Sequence, residues 1–327
     1  MNIALTYTCN QECAYCFGHD AMDEYQGRPS RNFLSMENLD KVLSFLEKSS
    51  VYELQMIGGE PTLHPDFKGI YKRVTERGFR VMIFSNGVIK KEIVDFLKAQ
   101  DNLTSVLLNI REPKEYSISD WNKILYTLSQ LGERVILSFR IYRLGFNPTF
   151  LFDLIERYHL RKLINWAMAC PSLLHDNVFL PLEDHIKAVD RMIEFSVQSQ
   201  SRGIDWYSDS GFIWCAFTDG RSQILKERVG FIPDTNCYPA LEVAPDLRVM
   251  RCFGLASKCR KDLKLTDFDN LKEVELYFFK KSLPFKRIGA MDKCFHCEHL
   301  LSNKCGGGCM AHILRRMPNY RKLPIIF

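Results

Sequence analysis

Three cysteines stand close together near the start of the chain, in Cys9-Asn-Gln-Glu-Cys13-Ala-Tyr-Cys16. A C-x3-C-x2-C spacing lets three thiolates hold three irons of a cubane and leaves the fourth iron without a protein ligand, open to a chelating molecule. Zinc is the competing reading, but structural zinc sites favour C-x2-C pairs and four ligands. A second set lies far downstream: Cys294-Phe-His-Cys297, then Cys305-Gly-Gly-Gly-Cys309, with Cys237 and Cys252 before them. The glycines free the backbone to wrap a bulky cluster, and their amides can hydrogen-bond its sulfurs. Paired cysteines are equally good zinc ligands, so a structural zinc site stays open for this region. Cys170 stands alone and reads as a small apolar residue, while His296 and His299 read as solvated loop histidines.

The elements that must position these thiols follow from the hydrophobic pattern. Apolar runs of strand length, Asn2–Thr6, Glu53–Ile57, Arg80–Ser85, Ser105–Ile110, Val135–Ile141 and Leu163–Met168, alternate with segments of helical period. The helices are expected at Met36–Lys48, Phe67–Arg77, Lys91–Ala99, Ser119–Leu131, Thr149–Tyr158 and Glu183–Gln200, with caps at Ser35 and Ser119. This is an α/β pattern of a partial (β/α)6 barrel, in which ligands sit at the carboxyl ends of the strands. The first cysteine set follows strand one, Gly58-Gly59-Glu60 ends strand two and Ser85-Asn86-Gly87 ends strand three. Asn109 ends strand four, and Ser138 and Arg140 lie on strand five. Beyond about Gly203 the segments shorten and cysteines crowd, which places a boundary between a barrel at 1–203 and a small cysteine-rich domain at 204–327, with one further helix at Asn270–Lys281.

Composition narrows the class. The chain has 327 residues, 46% of them hydrophobic and 25% charged, with a net charge of +5 and twelve cysteines. The mild positive charge is scattered among acids, so no specific nucleic-acid partner is expected. No apolar run is long enough to span a membrane, and no secretory signal opens the sequence, so a cytoplasmic location is expected and the cysteines read as metal or redox residues.

The cysteine triad after the first strand, with Tyr15 and Phe17 flanking Cys16 and the Gly-Gly-Glu turn after the second strand, resembles the radical S-adenosylmethionine (SAM) superfamily. That resemblance implies a [4Fe–4S] cluster on Cys9, Cys13 and Cys16 whose open iron chelates SAM. It also implies a cofactor pocket made by Tyr15 and Phe17 beside the adenine, Gly58, Gly59 and Glu60 at the amino group, Ser85 and Asn86, and Asn109, Ser138 and Arg140 toward the ribose and carboxylate. The family's acidic turn after strand four is here Asn109-Ile-Arg111-Glu112.

The C-terminal cysteines are similar to the SPASM extension of these enzymes, which carries one or two auxiliary [4Fe–4S] clusters. By that likeness Cys237, Cys252 and Cys309 hold one, with Cys215 or Cys259 as its fourth ligand, and Cys294, Cys297 and Cys305 hold another that needs a non-cysteine ligand, an open iron or residues beyond Phe327. The extension's Pro-Asp-Gly turn is here Pro245-Asp246-Leu247.

Enzymes of this type form a 5′-deoxyadenosyl radical and mostly modify peptides or proteins. The expectation is hydrogen-atom abstraction in the maturation of a ribosomal peptide, by a crosslink or thioether, with electrons from a flavodoxin or ferredoxin. Phe253 stands where sulfatase maturases place an aspartate, which disfavours that subtype. A leader-binding domain has no room before Cys9, so a separate recognition protein is expected. The rival functions are radical oxidation of a small molecule such as an alcohol, and a non-catalytic zinc-binding module.

Overall fold

The computed structural model describes residues 1–25, 28–238 and 240–327. Seven parallel strands follow one another across a single sheet: β1 (Asn2–Thr6), β2 (Glu53–Gly58), β3 (Arg80–Ser85), β4 (Leu103–Asn109), β5 (Val135–Ile141), β6 (Leu163–Met168) and β7 (Asp205–Ser208). A short antiparallel pair, β8 (Glu242–Val243) and β9 (Val249–Met250), extends the sheet beyond β1, with β8 parallel to β1. Sequential strand order with helical crossovers is the β/α barrel pattern, here left open between β7 and β9 among the described residues.

The crossover helices form where amphipathic runs meet caps. Met36–Lys48 begins after Ser35, whose hydroxyl accepts the Asn38 amide at 3.2 Å, and it buries Leu39, Val42, Leu43 and Leu46. The helix expected to be capped by Ser119 starts one residue earlier, at Ile118. Ser117 is its cap and accepts the Asp120 amide, because Ser119 already carries helical geometry inside the first turn. The core continues through an aromatic stack in which Trp166 and Trp206 lie 4.7 Å apart, both buried. No helix among the described residues is long and apolar enough to cross a membrane.

The sheet crosses the boundary expected near Gly203. Strand β7 pairs with β6, and β8 lies against β1, so hydrogen bonds of one sheet tie residues beyond 203 to both of its flanks. Segments this short carry too little periodicity to read as strands alone. The turn between β8 and β9 holds Leu247 at φ +67°, the left-handed region that favours glycine. The Asp246 carboxylate steadies it, accepting the Arg248 amide and the Tyr25 hydroxyl.

A pocket at the carboxyl ends of the strands and two cysteine groups

The register between β1 and β2 shifts after Ala4, which brings Gly58 opposite Thr6. A side chain at Gly58 would place its Cβ 2.1 Å from the Thr6 carbonyl oxygen, and one at Gly59 would lie 2.4 Å from that of Thr8. The two glycines are therefore demanded by protein backbone and not only by a ligand. Their absence of side chains lets Gly59 and Glu60 donate their amides to Thr6 and Thr8, at 2.9 and 2.8 Å, and so dock the start of the cysteine loop on β2.

The ends of β1 to β5 enclose a cavity of about 160 Å³ lined by Cys9, Cys13 and Cys16 together with Tyr15, Phe17, Gly58, Gly59, Ser85, Asn86, Asn109, Ser138 and Arg140. Asn109 donates to the Tyr15 hydroxyl at 3.1 Å, while its own Oδ1 is buried with no partner among the described residues. Arg140 pairs with Asp209 at 3.3 Å and lies 5.7 Å from the centre of the Phe17 ring, so it is held in the pocket and is not a surface residue. Asn86 reaches the Cys9 sulfur at 3.7 Å. Burial pushes the Cys9 thiol up to about 11 and raises Cys13 and Cys16 as well, with Arg111 opposing the rise at Cys13. Thiols so buried stay protonated until a metal ion displaces the proton.

Glu60 departs from its expected place. Its side chain is fully buried, and both oxygens are engaged: Oε1 accepts the Thr62 amide and hydroxyl, at 3.2 and 2.6 Å, and Oε2 accepts the Ser85 hydroxyl and the Asn86 amide, both at 2.9 Å. Burial raises its pKa, and these hydrogen bonds oppose the rise. Glu60 thus braces the Ser85-Asn86 turn and does not face the cavity. Pocket residues that the sequence did not assign to it include Tyr7, Gln11, His19, Met22, Leu107 and Phe253. The apolar ones had no polar signature, and Phe253 comes from far along the chain.

A second, wider cavity of about 600 Å³ also adjoins Cys9 and Cys13 and is walled by His19, Asp23, His175, Asp176 and Asn177. Asn177 ties the loop after β6 to the cysteine loop, donating to the carbonyls of Tyr15 at 3.1 Å and Cys170 at 2.9 Å.

The remaining nine cysteines are free thiols, and seven of them fall in two groups. Cys215, Cys294, Cys297 and Cys305 line one cavity, with Trp214 and His299 in its wall. The sequence offered Cys215 to the other set; the chain after β7 instead carries it to the C-x2-C pair. Cys237, Cys252 and Cys309 make the other group, with the Cys309 and Cys237 thiols side by side. Cys259 is fully buried in the core cluster and belongs to neither. The glycine run closes this region: a Cβ at Gly306 would lie 2.6 Å from Asn236 Cα, and Gly307 and Gly308 have φ of +83° and +87°. Among the described residues no three His, Cys, Asp or Glu side chains close on a point that would hold a single ion.

Comparison with known proteins agrees with this architecture. Residues 3–135 match the Radical SAM superfamily model. A GTP 3′,8-cyclase of Aquifex aeolicus is 25% identical over 166 residues, 47% of this chain and 51% of that protein. Mycofactocin maturase MftC of Mycobacterium ulcerans is 32% identical over 98 residues, 30% of this chain and 25% of that one. The chain spans about half the length of the first curated relatives it matches. Among solved structures, Streptococcus suis SuiB bound to SAM superposes with a TM-score of 0.68 at 14% identity, covering 99% of this chain and 75% of SuiB. Domains of this family use a [4Fe–4S] cluster and SAM, and the pocket fits them: three thiols line it, and a buried acceptor, Asn109 Oδ1, has no partner among the described residues. On the strength of the matched segment, the parallel sheet and this pocket, the chain carries a radical SAM domain.

Proposed function

We propose that this chain cleaves SAM reductively and removes a hydrogen atom from a peptide or protein side chain, in the maturation of a ribosomal peptide by a crosslink or thioether. The observation that carries the reading is the convergence of Cys9, Cys13 and Cys16 with the polar ends of β2 to β5 on one cavity. Bound there, a [4Fe–4S] cluster supplies the electron that splits SAM into methionine and a 5′-deoxyadenosyl radical. The three thiols hold the cluster, and Arg140 offers a planar donor fork to the SAM carboxylate. Asn109 offers its unpartnered oxygen to a hydroxyl or amine donor, and Phe17 gives an apolar face to the adenine. The wider cavity beside Cys9 and Cys13 gives a substrate side chain its approach.

In this reading residues 1–203 carry the SAM chemistry and 204–327 hold auxiliary [4Fe–4S] clusters that take up the electron left on the substrate. A peptide is favoured over a small molecule because SuiB, whose fold this chain shares, has been solved with its precursor peptide SuiA, and because MftC is a maturase. A flavodoxin or ferredoxin supplies electrons, and a separate recognition protein presents the peptide.

The test is anaerobic incubation of the purified, iron-loaded chain with reductant, SAM and the short cysteine- or aromatic-rich peptide encoded beside its gene. The expected products are 5′-deoxyadenosine and a peptide lighter by two hydrogens, and alanine at Cys9, Cys13 and Cys16 abolishes both. Deoxyadenosine formed with the peptide unchanged and an added alcohol oxidised would replace the peptide reading. A colourless zinc protein would remove the enzyme reading altogether.

A further inference from the structure

A cubane needs four protein ligands to be closed, and the group formed by Cys237, Cys252 and Cys309 brings three. The fourth comes from across the molecule. Cys170 stands two residues past the carboxyl end of β6, and its thiol and that of Cys237 both lie beside the Cys309 thiol. Cys170 is half-buried, and its sulfur faces Gly211, where a Cβ would come within 3.2 Å of it. The spacing of the sequence gives no hint of this: the loop after β7 packs Gly211 against Cys170 and Ile213 against Gly308, beside Cys309.

A second observation points to a negatively charged occupant in the same place. Arg251 is 1% exposed and has no carboxylate within ion-pair reach among the described residues. Its guanidinium is aimed instead at Cys237, with both terminal nitrogens 3.7 Å from the sulfur and Nη2 2.7 Å from the carbonyl oxygen, while Nε donates to Ser282 at 2.7 Å. A buried cation without an anion is costly, and a thiolate-ligated iron–sulfur cluster is an anion of the required size. By contrast the other buried guanidinium of this region, Arg248, has its carboxylate in Glu24 at 2.8 Å.

We infer that Cys170, from the SAM-binding barrel, is the fourth ligand of an auxiliary [4Fe–4S] cluster held by Cys237, Cys252 and Cys309, and that Arg251 neutralises that cluster. With Cys215 joining Cys294, Cys297 and Cys305, both auxiliary sites are then closed by cysteine, and no open auxiliary iron remains for a substrate thiolate. The inference rests on the proposed reading of residues 204–327 as a cluster-binding region. It adds that one cluster is stapled to the loop that Asn177 ties to the Cys13–Cys16 segment, which gives a hydrogen-bonded path between the two redox centres.

The test uses the full-length chain with Cys9, Cys13 and Cys16 replaced by alanine, so that only auxiliary iron is observed, by iron quantification with EPR and Mössbauer spectroscopy. The expected parent has two distinct cluster signals. Cys170→Ala should convert one of them to a three-iron species or remove it, Cys170→Ser should retain it with shifted parameters, and Cys215→Ala should alter the other signal. Cys259→Ala should leave both unchanged. If Cys170→Ala does not fold, as judged by circular dichroism, the serine variant decides. Unchanged iron content and spectra in the Cys170 variants would overturn the inference while leaving the cluster-binding reading intact, and so would loss of the same signal in the Cys170 and Cys215 variants. A parent with zinc and no iron would overturn both.

Discussion

The Glu60 carboxylate accepts the backbone amide of Asn86 at 2.9 Å, joining the loop after β2 to the turn after β3. One buried acid therefore holds two walls of the SAM pocket in register, and Asn86 in turn reaches Cys9 and Asn10. Glu60→Gln turns an acceptor oxygen into an amide donor facing either the Thr62 or the Asn86 amide. A buried donor left unpaired costs about 1–3 kcal/mol. The expected outcome is a lower unfolding midpoint together with weaker SAM binding, read by chemical denaturation and equilibrium binding. Weaker binding at unchanged stability would instead indicate direct contact with SAM.

Gly59→Ala tests the docking of the cysteine loop. The added methyl would sit 2.4 Å from the Thr8 carbonyl oxygen, which belongs to rigid backbone beside Cys9. Overpacking of this kind costs about 1–3 kcal/mol or more. Reconstituted iron at the N-terminal site should fall, measured as iron per chain, while auxiliary iron stays.

Arg140→Ala should weaken SAM binding about tenfold or more, the value of a lost charge-assisted hydrogen bond. Asp209→Asn, which loosens the partner of Arg140 but leaves its charge, should have a smaller effect in the same direction. Isothermal titration of the iron-loaded protein distinguishes the two. Equal affinity in Arg140→Ala and the parent would remove Arg140 from the SAM contacts.

His185 makes the fold sensitive to acid. Its ring is fully buried, neither nitrogen has a well-formed hydrogen bond among the described residues, and burial lowers its pKa to about 4. The unfolded chain takes up the proton near the ordinary value of about 6.5, so the folded state is favoured fully above that pH. That contribution, about 3 kcal/mol in all, is lost as pH falls from about 6.5 to about 4. His312, 6.2 Å away, is shifted in the same direction by burial and by its neighbours His185 and Arg315. Denaturation midpoints of the parent should drop between pH 7 and pH 5, and His185→Leu should flatten that drop. An equal slope in both would show that other groups govern it.

Much of the SAM-binding half was legible from residue order, because its determinants are local. A thiol triad, a strand and the turn at its carboxyl end are consecutive in the chain, and strands β1 to β6 announce themselves by apolar runs of the right length. Parallel β/α topology then places every strand end on one rim, so residues as far apart as Cys16 and Arg140 could be assigned to one pocket without coordinates.

Tertiary structure alone decided which way side chains turn and which distant segments meet. Glu60 reads as a ligand by position, yet Thr62, Ser85 and Asn86 supply four donors on its protein side and turn it inward. Strands β7 and β8 are too short to show a period, but the open flanks of the sheet recruit them across the expected boundary. The thiol beside Cys170, that of Cys309, lies more than a hundred residues further along the chain, and the pair beside Cys215 begins nearly eighty residues on, farther than any spacing rule reaches. Residue order alone sets the succession of the thiols; only the packing of loops around the buried Arg251 and the glycine run decides which of them come together, because that choice is made between segments far apart in the chain.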